Sequence, residues 1–324
     1  MIQHRSSVTV EEVCHFFQKS RQAYYQICRR KDTQSVNDEL VLQYVRSYRE
    51  EMPRIGTRKL LHLIGPQLQA SGIKCGRDKL FSLLDRWGLL IRHKRKQRCI
   101  TRSSTLRRNF PNLIKGMEIN EPEQVWVGDT TVLGIRDGLV YLALITDSYS
   151  KRIMGYNAQR TKNSKGTRTA LRMALERRWY PERQLIYHSD GGSEYYNYLY
   201  LQDLVNAHVK ASCTAPASPQ ENPVAERLNG ILKHEFLLVE ENRTFEQIAK
   251  ALPEVVRIYN ERRPHGSIDN LTPLSAHGCS GFLQRRWKSY VRNNIRDTEL
   301  TQIGQTIQKL MASWGQSDLS KERK

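Results

Sequence analysis

The chain has 324 residues, 39% of them hydrophobic, with 52 Lys and Arg against 33 Asp and Glu, a formal net charge of +19 and a pI near 9.8. That length suits two or three domains rather than one small core, the lack of any run of 18 apolar residues excludes a membrane-spanning helix, and the charge points to polyanionic partners, nucleic acid first. The surplus is uneven, because residues 1–120 hold 24 Lys and Arg against 10 Asp and Glu, which predicts a basic N-terminal part and a more balanced second part.

The opening MIQHRSSVTVEEV lacks the charged-then-apolar pattern of a secretory leader. The six cysteines, at 14, 28, 75, 99, 213 and 279, form neither a CxxC pair nor a zinc-finger spacing, so they read as reduced, buried thiols of a cytoplasmic protein. Thr9-Val-Glu-Glu12 is a capping box that opens a helix, and Ser20 can cap a second one through Tyr24 and Ile27. Two short helices with Arg21, Arg29, Arg30 and Lys31 on the second are compatible with a helix-turn-helix or a plain hairpin over residues 1–35. Apolar residues at 41, 42, 45 and 48 predict another helix from Asp38 to Glu51, ended by Pro53. Thr57 is expected to cap the next, with Arg58 and Lys59 outward, and Gly65-Pro66 and Gly72 read as punctuation. A helix from Arg77 to about Trp87, stopped by Gly88, places Arg77 and Lys79 in its first turn, where a recognition helix meets base edges. Residues 36–92 are therefore read as a helix-turn-helix DNA-binding domain. Residues 93–118 form a basic linker in which Lys94, Arg95 and Lys96 can lie along DNA phosphates.

From Gln124 the pattern changes. VWVGDTTVLGI, LVYLALITDSY and RIMGYNA are strand-like, with Arg136-Asp137-Gly138 as a hairpin turn between the first two. A helix at 164–178, a strand at LIYHSD, a helix to Ala207, a strand at VKASC and two helices, 225–240 and 244–262, follow. This β-β-β-α-β-α-β-α-α order predicts a mixed five-stranded sheet with helices on both faces over residues 119–279. Residues 280–324 are a polar, basic tail with a possible helix at 298–314.

Three carboxylates stand out. Asp129 lies inside an apolar strand, where an unpartnered charge is costly, so it is a paired structural acid, a strand-end cap or a metal ligand. Asp190 closes a strand before Gly191-Gly192, a placement common to catalytic groups and to ordinary turns. Glu226 opens a helix, which the helix dipole alone would favour, and Lys233 follows two turns later on the same stripe. Asp147 reads as structural, His188 as a core or hydrogen-bonding residue, and the tyrosines at 195, 196, 198 and 200 as packing with some DNA contact.

Taken together, an Asp in a strand, an Asp at a strand end and a helical Glu after 35 intervening residues resemble the DDE transposase and retroviral integrase superfamily. The resemblance is carried by WVGDTT, YHSDGGSEY and ENPVAERLNGILKHE around these acids, by YNERRPHGSIDNLTP downstream, and by PRIGTRKLLHLI and GIKCGRDKLFSLLDRWGLLIR upstream. It covers residues 20–280 and is closest in kind to the second-frame proteins of two-frame bacterial insertion elements. Gly191 departs from the Arg or Asn that often follows the second Asp, SPQENP is closer to the integrase style, and the retroviral His-His-Cys-Cys zinc module is missing. The resemblance implies a ribonuclease H-like core and Asp129, Asp190 and Glu226 as ligands of two Mg2+ ions, with Mn2+ able to substitute. It further implies 3′-end cleavage and strand transfer on double-stranded DNA, a DNA contact at Lys233, homo-oligomers, a possible upstream-frame partner and a nucleoid-associated setting. A silent DNA-binding protein that kept the fold and a ribonuclease H-like nuclease are the competing expectations.

Overall fold

The computed structural model describes residues 9–92, 110–190, 192–214, 222–236 and 243–286. Cys99, the linker stretch 93–109 and the possible helix at 298–314 lie outside these. The capping box forms as predicted, with the Thr9 hydroxyl accepting from the Glu12 N–H and the Glu12 carboxylate accepting from the Thr9 N–H, and helix α1 (Val10–Phe16) follows. Helix α2 (Arg21–Glu51) starts at the Ser20 cap and does not stop. The two helices expected on either side of residue 35 are one, about 46 Å long, and the 35/36 boundary falls inside it. No Gly or Pro occurs between 21 and 51, so the polar stretch at 28–37 marks solvent exposure rather than a turn.

The C-terminal half of α2 buries Val41, Leu42 and Val45 against helices α3 (Thr57–Ala70) and α4 (Arg77–Arg86). Gly56, not Thr57, occupies the cap position of α3, and Pro66 does not end that helix. The Tyr48 hydroxyl donates to the Leu63 carbonyl alongside this stretch (3.2 Å), and Leu60, Ile64 and Leu68 are buried, so packing outweighs the proline's local cost. Gly88 stops α4 with φ +65°, and the Leu89 N–H returns to the Leu84 carbonyl at 2.7 Å.

Strands β1 (Val125–Ile135), β2 (Gly138–Asp147), β3 (Ile153–Gln159), β4 (Ile186–Ser189) and β5 (Lys210–Cys213) form one sheet in the order β3-β2-β1-β4-β5. The first three are an antiparallel meander, while β4 joins β1, and β5 joins β4, in parallel. The pleat sorts the side chains. Trp126, Ala143, Ile145 and Met154 face α5 (Ser164–Glu176) and α6 (Tyr198–Asn206). Val125 and Val127 face α7 (Pro223–His234), and Leu133, Val140, Leu142 and Leu144 share one core with α7, α8 (Phe245–Glu261) and helices α2 to α4. The N-terminal helices therefore cover the α7–α8 layer.

At the other end of β1 and β2, a fully buried polar cluster fastens α9 (Pro273–His277) to the sheet. His277 Nε2 lies 3.2 Å from Glu123, His277 Nδ1 lies 2.8 Å from the Ser150 hydroxyl, and that hydroxyl donates to Asp147 at 2.8 Å. Asp147 also accepts from the N–H groups of Glu123 and Tyr149, so its role is structural, as read from the sequence. Cys14 and Cys213 are buried free thiols, whereas Cys28, Cys75 and Cys279 are only half-buried. Among the described residues no helix is long and apolar enough to cross a membrane.

A candidate active site at the edge of β1 and β4

The parallel pairing of β1 with β4 runs Val125–Ile186, Trp126–Tyr187, Val127–His188 and Gly128–Ser189. The next residues in that register are Asp129 and Asp190, side by side where β4 ends, on strands about 4.8 Å apart. Gly128 makes the approach possible. A Cβ there would fall 1.7 Å from the Tyr187 hydroxyl, which fills the space behind the strand. Asp129 itself turns to the opposite face, toward α7.

Two donors hold the Asp129 carboxylate: the Thr130 N–H reaches Oδ1 at 2.9 Å and the Asn229 side-chain amide reaches Oδ2. Burial, and then the Asp190 charge, push the Asp129 carboxyl up to about 6 against those hydrogen bonds, and Glu226 pushes it in the same direction. Asp190 stands at the exposed rim, with Oδ1 accepting from the Gly192 N–H at 3.2 Å. Its carboxyl is raised as well, by partial withdrawal from water and by neighbouring Glu194, while the Gly192 hydrogen bond and Lys162 act against the shift. Glu194 is buried and ion-paired to Lys162 Nζ at 3.1 Å.

Glu226 enters from the first turn of α7 and is exposed. That helix is seated on β1 by Ala225, which packs on Val125 and Val127, and by the Asn222 amide, which donates to the Gly128 carbonyl at 3.4 Å. Asn229 lies one turn after Glu226 and Lys233 one turn further, half-buried. The three acids read from the sequence thus share one neighbourhood, with Asp129 under the charge of both others. The donors are hard oxygens suited to a divalent cation such as Mg2+, and their mutual repulsion is what such a cation would relieve. As they stand, no group of three His, Cys, Asp or Glu among the described residues is close enough to hold one ion.

Sequence reasoning missed Asn229, Glu194 and Lys162. Asn229 was findable from its three-residue offset from Glu226, whereas Glu194 and Lys162 meet only through tertiary packing. His188 is buried with Nδ1 2.9 Å from the Ser212 hydroxyl, a hydrogen-bonding role. Of the tyrosines, Tyr195 and Tyr200 are core residues, with the Tyr195 hydroxyl 3.1 Å from that of Thr130, and Tyr198 is exposed.

The N-terminal candidates separate. Arg58 is exposed. Arg77 is exposed and bonded to Asp78 at 2.8 Å. Lys79 reaches Gln34 at 3.3 Å and the Lys74 carbonyl at 3.4 Å. Lys59, expected to point outward toward DNA, points inward instead, 3.4 Å from Glu235. Its amine is lowered to about 8, by burial first and then by Arg263, against the pull of Glu235. Lys94, Arg95 and Lys96 lie outside the described residues.

Two family models, both described as integrase core domain, match residues 119–219 and 207–273. The insertion element IS600 31 kDa protein of Shigella sonnei is 31% identical over 269 residues, covering 81% of this chain and 96% of that protein. The chain belongs to the insertion-element transposases of the integrase superfamily. The transposase for IS904 of Lactococcus lactis is 27% identical over 253 residues, covering 76% of this transposase and 96% of that protein. Among solved structures, the catalytic core domain of HTLV-2 integrase in complex with magnesium matches 48% of this chain and 97% of its own, at 19% identity and a TM-score of 0.39.

Proposed function

We propose that this transposase hydrolyses a phosphodiester at each end of its element to free a 3′-OH, and then joins that hydroxyl to a second phosphodiester. The catalytic groups are Asp129, Asp190 and Glu226. The reading rests on one observation above all: the β1/β4 register sets Asp129 beside Asp190, under the helix that carries Glu226. The three carboxylates would hold two Mg2+ ions, with Mn2+ as a substitute, supplying Lewis-acid stabilisation of the phosphodiester oxygens and of the attacking oxygen.

The chain's own residues then do the rest. Asn229 and the Thr130 N–H fix the direction of the Asp129 carboxylate. Glu226 and Asp190 are exposed beside the half-buried Asp129, so their carboxylates could turn toward an ion shared with it. Lys233, on the Glu226 stripe, contacts an end phosphate. Arg58, Arg77 and Lys79 on the α3–α4 pair, used as a helix-turn-helix, and Lys94, Arg95 and Lys96 beyond it grip the duplex. Two element ends must meet, so the working form is a homo-oligomer.

The test is incubation of the purified full chain with its element-end DNA and Mg2+, scoring 3′-end nicking and joining. Metal-dependent nicking followed by joining is the expected outcome. Specific binding with no nicking would leave a catalytically silent DNA-binding protein.

A further inference from the structure

The end of α7 opposite Glu226 carries a cluster of charged hydrogen bonds between the N-terminal helices and the sheet domain. Glu235, the C-cap residue of α7, receives the Arg263 guanidinium through Nε and Nη2, the latter reaching both carboxylate oxygens, at 2.7–2.9 Å, and Lys59 Nζ at 3.4 Å. Its main-chain carbonyl accepts the Arg54 N–H at 3.0 Å. Arg263 is 1% exposed and its remaining nitrogen meets His265 Nε2 at 2.7 Å. Burial holds His265 neutral, so it can accept. A second pair, Arg262 with Glu51, ties the end of α8 to the end of α2. Around this cluster, Met52, Ile55 and Leu60 of the N-terminal helices share one core with Leu228, Ile231, Leu232 and Phe236 of the α7 segment.

We infer that Glu235 is a positioning residue for the reaction proposed above: it fixes the Glu226 helix to the N-terminal helices, so that DNA gripped by those helices meets the carboxylates at one phosphate. The inference rests on that reading for its reaction and on the contacts just given for its geometry. Glu226 and Glu235 are nine residues apart on one helix, about 13 Å. A rigid rod of that length carries a small rotation at one end into a displacement at the other. Leu228, Ile231 and Leu232 alone give a slippery apolar seat, which resists separation better than it resists sliding. A carboxylate that takes three directed bonds from Arg263 and one from Lys59 stops the sliding. Charge is needed at 235 because Arg263 and Lys59 are both withdrawn from water and must be neutralised.

The experiment uses the full chain and labelled element-end DNA with Mg2+. Glu235→Gln keeps the shape and removes the charge. Lys59→Met is the safer companion, since it leaves the Arg263 pair and the Arg54 bond intact and removes only the side-chain bond from Lys59 to Glu235, and Lys59→Arg should restore that bond. Three quantities are read: end-DNA affinity, single-turnover nicking rate, and the distribution of cut positions. The expected result is unchanged affinity, a rate lowered by about tenfold, and cuts spread over neighbouring phosphates, with Lys59→Arg returning to one position. A merely destabilised protein would cut more slowly at the same phosphate, and that result in both variants would overturn the inference. Lost affinity with an unchanged cut position in Lys59→Met would also overturn it and return Lys59 to DNA contact. A wild-type chain that binds the end without nicking it removes the reaction itself and sinks both readings, which separates that failure from this one.

Discussion

The N-terminal helices and the sheet handle charge in opposite ways. On α3 and α4, Arg58 and Arg77 stand in solvent, and the one hydrogen-bonded carboxylate partner of Arg77 is its own neighbour Asp78. On β1, Asp129 is half-buried, takes a hydrogen bond at each oxygen, and is crowded by two further acids. An exposed cation attracts a phosphate backbone without needing a fixed position, because its field acts over about a Debye length, roughly 8 Å at physiological salt, rather than at one contact distance. Asp129 is the anchor of its group, held in one direction by partial burial and directed bonds, while the exposed Asp190 and Glu226 are arranged around it. Field without fixed geometry suits binding, and fixed geometry suits chemistry. Substitutions in the two regions should therefore fail differently.

The largest effect is expected at Glu226. Glu226→Gln preserves the shape and the exposed position on α7 while removing a charged donor, so end-DNA binding should persist and Mg2+-dependent nicking should fall by roughly 10³-fold. Gel-shift and nicking assays on one preparation check both halves. Appreciable Mg2+-dependent joining by this variant would dissolve the contrast between the two regions.

Next comes acid stability, a probe of the sheet domain alone. Burial by itself would raise the Glu123 carboxyl, but bonds from His277, the Trp179 N–H and Arg178 outweigh it and hold the group at about 2, against an ordinary 4.5. A carboxyl depressed in the folded state stabilises it above the unfolded value, and that contribution is lost as pH falls from about 4.5 toward 2. It amounts to about 3 kcal/mol at neutral pH. Glu123→Gln should lower stability at pH 7 and flatten its decline over that window in denaturant titrations. An unchanged acid profile would mean that the cluster at α9 contributes nothing net.

Much of this was legible in the sequence, and the gaps have physical causes. The sheet was readable because alternation, the Arg136–Gly138 turn and the strand-helix order all agree with one another. The long α2 was not, since apolar periodicity reports burial and half of that helix is exposed. Lys59 was misplaced for a related reason: a cation on a helix reads as solvated until the chain brings a carboxylate, here Glu235, from 176 residues away. Asp129 and Asp190 could be paired by resemblance, but only the register shows that they are neighbours and that Gly128 must lack a side chain beside Tyr187.

That last point carries the third prediction. Gly128→Ala forces the Tyr187 ring out of its place and should cost about 1–3 kcal/mol by overpacking. Tyr187→Val should recover most of the loss in the double variant, because the two changes share one volume. Thermal melts of the four proteins test it, and additive losses would show that the clash is relieved some other way.

The smallest effect is expected at Lys233, where the two styles of charge meet on one helix. It lies seven residues after Glu226 on the same stripe and is half-buried, so it is better placed than the α3–α4 cations yet is not a metal donor. If it holds an end phosphate, Lys233→Ala should weaken end-DNA binding about equally on matched and unmatched ends and reduce the slope of log K against log salt by about one. If it instead works on the reacting phosphodiester alone, binding and its salt slope will not change while the nicking rate falls. Affinity measured at several salt concentrations, with single-turnover nicking at the lowest, distinguishes the two. A variant unchanged in both would place Lys233 with the solvated charges of the surface.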